Sequence, residues 1–299
     1  MLFRSATRLN AAAGRPLSIQ TIYARDRHKD RGFAISGTQW ADNLTAMTAD
    51  DDLDILVECV GGTGDAVCDF VRSGLAGGKA VITANKALLA ERASEVWDIA
   101  PEKLYYEAAV AGAIPVIKTI REGLAANEIT RIRGILNGTC NYILSQMAAE
   151  ETSFEAALAD AQAKGYAEAD PAADVKGTDT AHKLAILSAL AFGGTPSMDF
   201  DVQGITDISP ADIAAAQKNG RTIKLIAEAF RNDTGKIIRT VKPTVLVSDS
   251  PLGSVNGVIN AVEIETNYAG PIFLSGAGAG GEATASAVIA DILDAAKSL

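Results

Sequence analysis

The densest group of reactive side chains in the sequence lies at 165–183, GYAEADPAADVKGTDTAHK. It contains Glu168, Asp170, Asp174 and Asp179 and ends on Lys183. Pro171 and Gly177 make its first part a loop, and a helix starts near Gly177. Asp179 and Lys183 are four residues apart, so on that helix they share a face with Cβ atoms roughly 5–6 Å apart. Carboxylates so placed bind an ammonium group, and a positioned lysine gives or takes a proton. The same two residues also fit a plain helix ion pair, worth a few tenths of a kcal/mol. A calcium loop fits poorly: the acids do not alternate, and no glutamate stands at the twelfth position. His182 lies about 100° around the helix from Lys183 and reads as structural, as does His28 in a basic loop.

Weaker signals surround this one. VECVGGT at 57–63 runs a strand into Gly61-Gly62-Thr63, where glycines admit a ligand and helix N–H groups favour anions. TANK at 83–86 ends a strand and opens a helix, at the carboxyl edge where open α/β sheets bind ligands. Lys86 there fits a contact to substrate or cofactor and equally a solvated position. Arg25, Arg27, Lys29 and Arg31 follow the first recognisable strand, where NADP enzymes carry arginines for the 2′-phosphate. A solvated loop accounts for them as well, and Asp26 among them leaves NAD open. EAAVAGAIP at 107–115 offers a carboxylate and carbonyls to a hard cation. ILNGTCNYIL at 135–144 and GAGAGGEAT at 276–284 each place glycine before a helix. Each of these, taken alone, is also an ordinary turn or helix cap.

The elements that carry these groups alternate early in the chain. Strands are predicted at 17–24, 53–60, 79–83 and 103–109, with helices at 64–76 and 85–99, which means βαβ units and a parallel sheet. From 114 to 230 the pattern is mostly helical, most clearly at 176–192. Strands return at 236–247, 255–266 and 271–275, and an amphipathic helix closes the chain from Thr284. A complete dinucleotide unit begins strand, G-x-G-x-x-G, helix. No such motif precedes Leu17, and 3–13 reads as the helix that would follow it, as in a chain with a truncated start.

With 299 residues the chain is long enough for two domains and a large core. Its net charge of −10 argues against a general nucleic-acid binder, and no apolar run is long enough for a membrane span. Cys59, Cys68 and Cys140 are too scattered for a disulfide framework or a zinc site and read as buried thiols in a reducing cytoplasm.

Taken in order, TANK, EAAVAGAIP, GILNGTCNYIL, GYAEADPAADVKGTDTAHKLAIL and GAGAGGEAT closely resemble homoserine dehydrogenase, from about Leu17 to the end. The resemblance implies an α/β fold: a Rossmann-type parallel sheet, its first strand and G-x-G-x-x-G missing, at 1–112 and 276–299. An inserted α+β substrate-binding and dimerisation domain would occupy 113–275. It implies NADPH- or NADH-dependent reduction of L-aspartate 4-semialdehyde to L-homoserine by a cytoplasmic homodimer. Carried over by motif, Lys183 is the general acid and Lys86 the second catalytic lysine. Glu168 and Asp179 bind the substrate, and Gly138, Thr139, Tyr166 and Asp174 line the pocket. Arg25, Gly61, Thr63, Thr83, Lys86 and Gly278 border the cofactor. Glu107 with the carbonyls of Val110, Gly112 and Ile114 holds a monovalent cation, usually Na⁺. The resemblance is to the form of the family without a C-terminal ACT domain or a fused kinase. No cysteine sits as a nucleophile, which disfavours thioester chemistry. The missing glycine motif predicts weak dinucleotide binding, and a non-catalytic fragment or another NADP-dependent amino-acid-aldehyde reductase are the competing readings.

Overall fold

A computed structural model describes residues 5–30, 32 and 37–299. Arg31 and the first residues of the helix expected at 3–13 lie outside that set. The chain forms two compact units, Met1–Ala109 with Ala285–Leu299, and Val110–Thr284.

The first unit is a parallel α/β layer in two pieces. Strands β1 (Thr21–Ile22) and β2 (Gln39–Trp40) form one parallel pair. Strands β3 (Ile55–Glu58), β4 (Ala80–Thr83) and β5 (Leu104–Tyr105) form a separate parallel sheet in that order. All four residues of β4 are buried, as its continuous apolar run requires of a strand covered on both faces. Ala80, Ile82 and Tyr105 pack with Val288, Ile292 and Ala295 of the C-terminal helix Gly281–Ser298.

Several expectations need correcting here. The strand expected at 17–24 contracts to Thr21–Ile22, because β2 is its one pairing partner among the described residues, and β2 itself was not foreseen. The strand expected at 103–109 is paired only over Leu104–Tyr105, and Glu107–Ala109 is a 3₁₀ turn. The helix expected at 85–99 breaks at Arg92 into Lys86–Glu91 and Ala93–Val96. The Arg92 guanidinium there binds the Thr63 carbonyl, Asp65 and Glu95.

The second unit is built on a six-stranded sheet in the order β11-β10-β6-β8-β9-β7. These strands are β6 (Ile129–Ile135), β7 (Asp201–Val202), β8 (Arg221–Arg231), β9 (Ile237–Val247), β10 (Ile259–Thr266) and β11 (Pro271–Ala277). All neighbours are antiparallel except β7 and β9. Helices Gly138–Ala149, Thr178–Phe192 and Pro210–Gln217 pack against this sheet. Strand β8 overturns the helical reading of its segment. RTIKLIAEAFR is rich in helix formers, but it pairs with β9 over eleven residues and with β6 on its other edge. Tertiary pairing overrides a weak local preference.

Candidate active site

The Lys183 centre is assembled from four segments of the second unit. Helix Thr178–Phe192 starts after Gly177 and carries Asp179 in its first turn, where an acid suits the helix dipole. One turn later comes Lys183. Its Nζ donates to Asp179 Oδ2 at 2.7 Å and to the Leu136 carbonyl at 2.6 Å. Both side chains are buried. Leu136 follows β6 directly, and Asn137 then caps the helix Gly138–Ala149 by accepting from the Cys140 N–H. The Asn137 amide donates to Asp174 Oδ1 at 2.7 Å and to Asp179 Oδ2 at 2.9 Å. A side chain at Gly138 would put its Cβ 2.7 Å from the Val258 carbonyl, so this close approach requires glycine.

Thr139 donates its hydroxyl to the Tyr166 carbonyl, and the Tyr166 ring lies 4.9 Å from that of Tyr142. Tyr142 is in turn bonded to Asp160 and Lys164, and these bonds hold the Asp160 carboxyl below its usual range. Cys140 is fully buried, donates to the Asp174 carbonyl, and is pushed up in pKa by burial and by Asp174 and Asp179. A buried thiol of this kind is inert.

In the first unit, the turn after β3 is organised by an acid. Glu58 is buried, and its Oε1 accepts from the Val60 and Gly61 N–H groups at 2.6 and 2.8 Å. Its Oε2 accepts from the Thr83 hydroxyl at 2.6 Å, joining the ends of β3 and β4. Asn85 caps Lys86–Glu91 and donates to the Gly62 carbonyl. Gly61 and Gly62 are exposed with open space beside their Cα atoms.

Two family models cover this chain: "Homoserine dehydrogenase, NAD binding domain" at residues 4–107 and "Homoserine dehydrogenase" at 115–293. The homoserine dehydrogenase of Mycobacterium tuberculosis is 44% identical over 98% of this chain and 68% of that relative. The solved homoserine dehydrogenase of Thiobacillus denitrificans is 40% identical with a TM-score of 0.93, covering 99% of this chain and 69% of that one. A hyperthermophilic archaeal homoserine dehydrogenase, solved in complex with NADPH, is 31% identical with a TM-score of 0.73 over 86% of this chain and 76% of that one.

The chain belongs to the homoserine dehydrogenase family.

Homoserine dehydrogenases are NAD(P)-dependent oxidoreductases, so the two units divide the residues named from sequence into two sets. In the second unit Lys183, Asp179 and Asp174 come together, with Gly138 and Thr139 at the start of the adjoining helix. Glu168 does not join them: it is exposed, and its carboxylate makes no hydrogen bond among the described residues. Only its carbonyl is held, by Gln162. Gly278 closely abuts Gly112, where a Cβ would lie 2.6 Å from its carbonyl group. Val110, Gly112 and Ile114 supply main-chain oxygens of the kind a hard cation takes. The Ile114 carbonyl also accepts from the Val116 N–H.

In the first unit Lys86 is half-buried and Arg25 is exposed just beyond β1. Thr83 is fully buried with its hydroxyl committed to Glu58, so it shapes the turn rather than presenting a hydroxyl outward. Glu107 is buried, and its N–H donates to Asp291. The glycine turn and the strand ends suit a dinucleotide, although the Val60 and Gly61 N–H groups are already taken by Glu58.

Sequence reasoning missed Asn137, Leu136 and Glu58. Glu58 left a signal: an acid inside an apolar strand must find partners. Leu136 acts only through its carbonyl and left none.

Proposed function

We propose that Lys183 is the general acid in the reduction of L-aspartate 4-semialdehyde to L-homoserine. The nicotinamide cofactor supplies the hydride. As the carbonyl oxygen gains negative charge, Lys183 delivers the proton, and two of its three N–H groups are already fixed by Leu136 and Asp179. Fixing those two aims the third, which lowers the entropy cost of proton transfer. Asp179 and Glu168 take the substrate ammonium, with Asp174, Tyr166, Gly138 and Thr139 lining the pocket. The observation that carries this reading is the buried Lys183–Asp179 pair tied to both Leu136 and Asn137. A plain surface ion pair needs neither tie.

On the nucleotide side, Lys86 is the second catalytic lysine, and Arg25, Gly61, Thr63, Thr83 and Gly278 border the cofactor. The arginines and the lysine around Asp26 favour NADP over NAD. Na⁺ is taken by the carbonyls of Val110, Gly112 and Ile114 with Glu107, which precedes them in the chain.

The enzyme acts in the cytoplasm, in keeping with three free cysteines, and supplies the threonine and methionine branch of amino-acid biosynthesis. It works as a homodimer. One face of the large sheet carries an ion-pair ladder, Arg133 to Glu263 and Arg131 to Glu228 and Glu265, beside half-exposed Phe230 and Phe273. Light scattering at micromolar concentration is expected to give twice the chain mass, and a monomer would refute the dimer.

The decisive assay follows NADPH oxidation with aspartate semialdehyde. Lys183→Ala is expected to lower kcat by about 10²–10⁴-fold, the usual contribution of a positioned general acid. A loss under roughly tenfold, well short of that range, would reduce Lys183 to the ion-pair partner of Asp179.

A further inference from the structure

Asn137 is buried to 5% exposure, and its carboxamide is used at both ends. The oxygen accepts from the Cys140 N–H at 2.8 Å, which is the helix cap. The nitrogen reaches two carboxylates, Asp174 at 2.7 Å and Asp179 at 2.9 Å. Capping alone does not call for asparagine, since serine, threonine and aspartate cap about as well. Among these side chains only asparagine combines a cap acceptor with two N–H donors on one planar group. The cap also fixes which way the amide faces, because a flipped amide would aim its oxygen at two carboxylates.

The consequence is electrostatic. Asp174 and Asp179 are like charges that repel when brought close, and the Asn137 amide places a hydrogen-bond donor on each of them. The preceding residue, Leu136, accepts from Lys183. Two consecutive residues after β6 therefore grip the lysine and both acids, and register pairing of Ile135 with Ala261 anchors that point.

We propose that Asn137 is the positioning residue of this site, holding Asp179 and Asp174 together as one fixed acidic wall of the substrate pocket. This rests on the reading of Asp179 as part of the ammonium site and of Asp174 as its neighbour in the pocket lining. Without Asn137 the acids separate, and substrate binding weakens before the proton transfer does.

The test uses Asn137→Ser and Asn137→Asp in the full chain, both of which keep a capping side chain. The measurements are KM and kcat for aspartate semialdehyde, the calorimetric Kd for L-homoserine, and the thermal midpoint. Asn137→Ser is expected to raise KM and Kd roughly tenfold, the usual scale for losing a hydrogen bond to a charged group. Its kcat should change by far less, and it should still fold cooperatively with a lowered thermal midpoint, since a buried carboxylate loses a donor. Asn137→Asp, which adds a third carboxylate, is expected to weaken binding further. Unchanged KM and Kd in both variants would overturn the proposal and leave Asn137 a helix cap. Asp179→Ala separates the two levels. If it weakens homoserine binding while the Asn137 variants do not, only the positioning role fails. If it leaves binding intact, the ammonium-site reading fails and the proposal with it.

Discussion

The two units hold their functional groups by different means. In the second, Lys183 and its acids are buried and fixed by bonds from Leu136 and Asn137, beside a sheet whose β8 and β9 each run eleven residues. In the first, β1 and β2 are two residues long, Arg25 is exposed, Lys86 is half-buried, and the glycine turn is occupied from within by Glu58. Each arrangement suits a different ligand. A small amino-acid aldehyde offers few contacts, so its site must be organised in advance. A dinucleotide brings a large surface and tolerates an open strand edge, provided some donors meet its phosphates.

That difference is broken or sharpened first by measuring two affinities on the same chain. Pyrophosphate is ordinarily held by unoccupied N–H groups of a glycine turn and helix N-terminus. Here Val60 and Gly61 give theirs to Glu58, and the following helix begins with Asp65, which repels phosphate. Calorimetry is expected to show NADPH binding weaker than about 100 µM, near −5.5 kcal/mol, while L-homoserine binding keeps its dependence on Asp179. Micromolar NADPH affinity would mean that other donors hold the phosphates, and the contrast between the units would fall.

A smaller effect probes the second unit alone. Lys224 on β8 is 1% exposed, and among the described residues its ammonium meets only neutral oxygens, from Asn141, Ser145 and Asn256. Burial lowers its pKa from 10.5 to about 8. Between those values the unfolded chain holds a proton that the folded chain has lost, so the Lys224 contribution to stability rises with pH from about 8 to 10.5. The full rise is on the order of 3 kcal/mol. Thermal midpoints from pH 7 to 10 should show this upward contribution in the wild type and lose it in Lys224→Met. Identical profiles would show that Lys224 keeps its proton through this range.

Part of the site was legible because it lies along a single element. Asp179 and Lys183 are one helical turn apart, and the glycine before them marks the helix start, so spacing alone places them on one face. The buried β4 and the closing helix were legible for the same reason, as periodicity within a short window. Glu168 shows the limit of that rule: its loop lies in the same run, but spacing does not set which way a loop side chain faces, and in the fold Glu168 is exposed.

The sequence by itself determined the parallel α/β beginning, the family motifs and the acid–lysine pair, all of which depend on neighbours within a few residues. Only the tertiary structure decided that RTIKLIAEAFR is a strand, because its partners β6 and β9 satisfy its backbone on both edges. It also decided that Asn137 reaches acids 37 and 42 residues away and that Glu58 fills its own turn and reaches Thr83. Those outcomes turn on which polar groups are buried together. Burial is a property of the packed chain, where an unpaired donor or charge costs far more than in water.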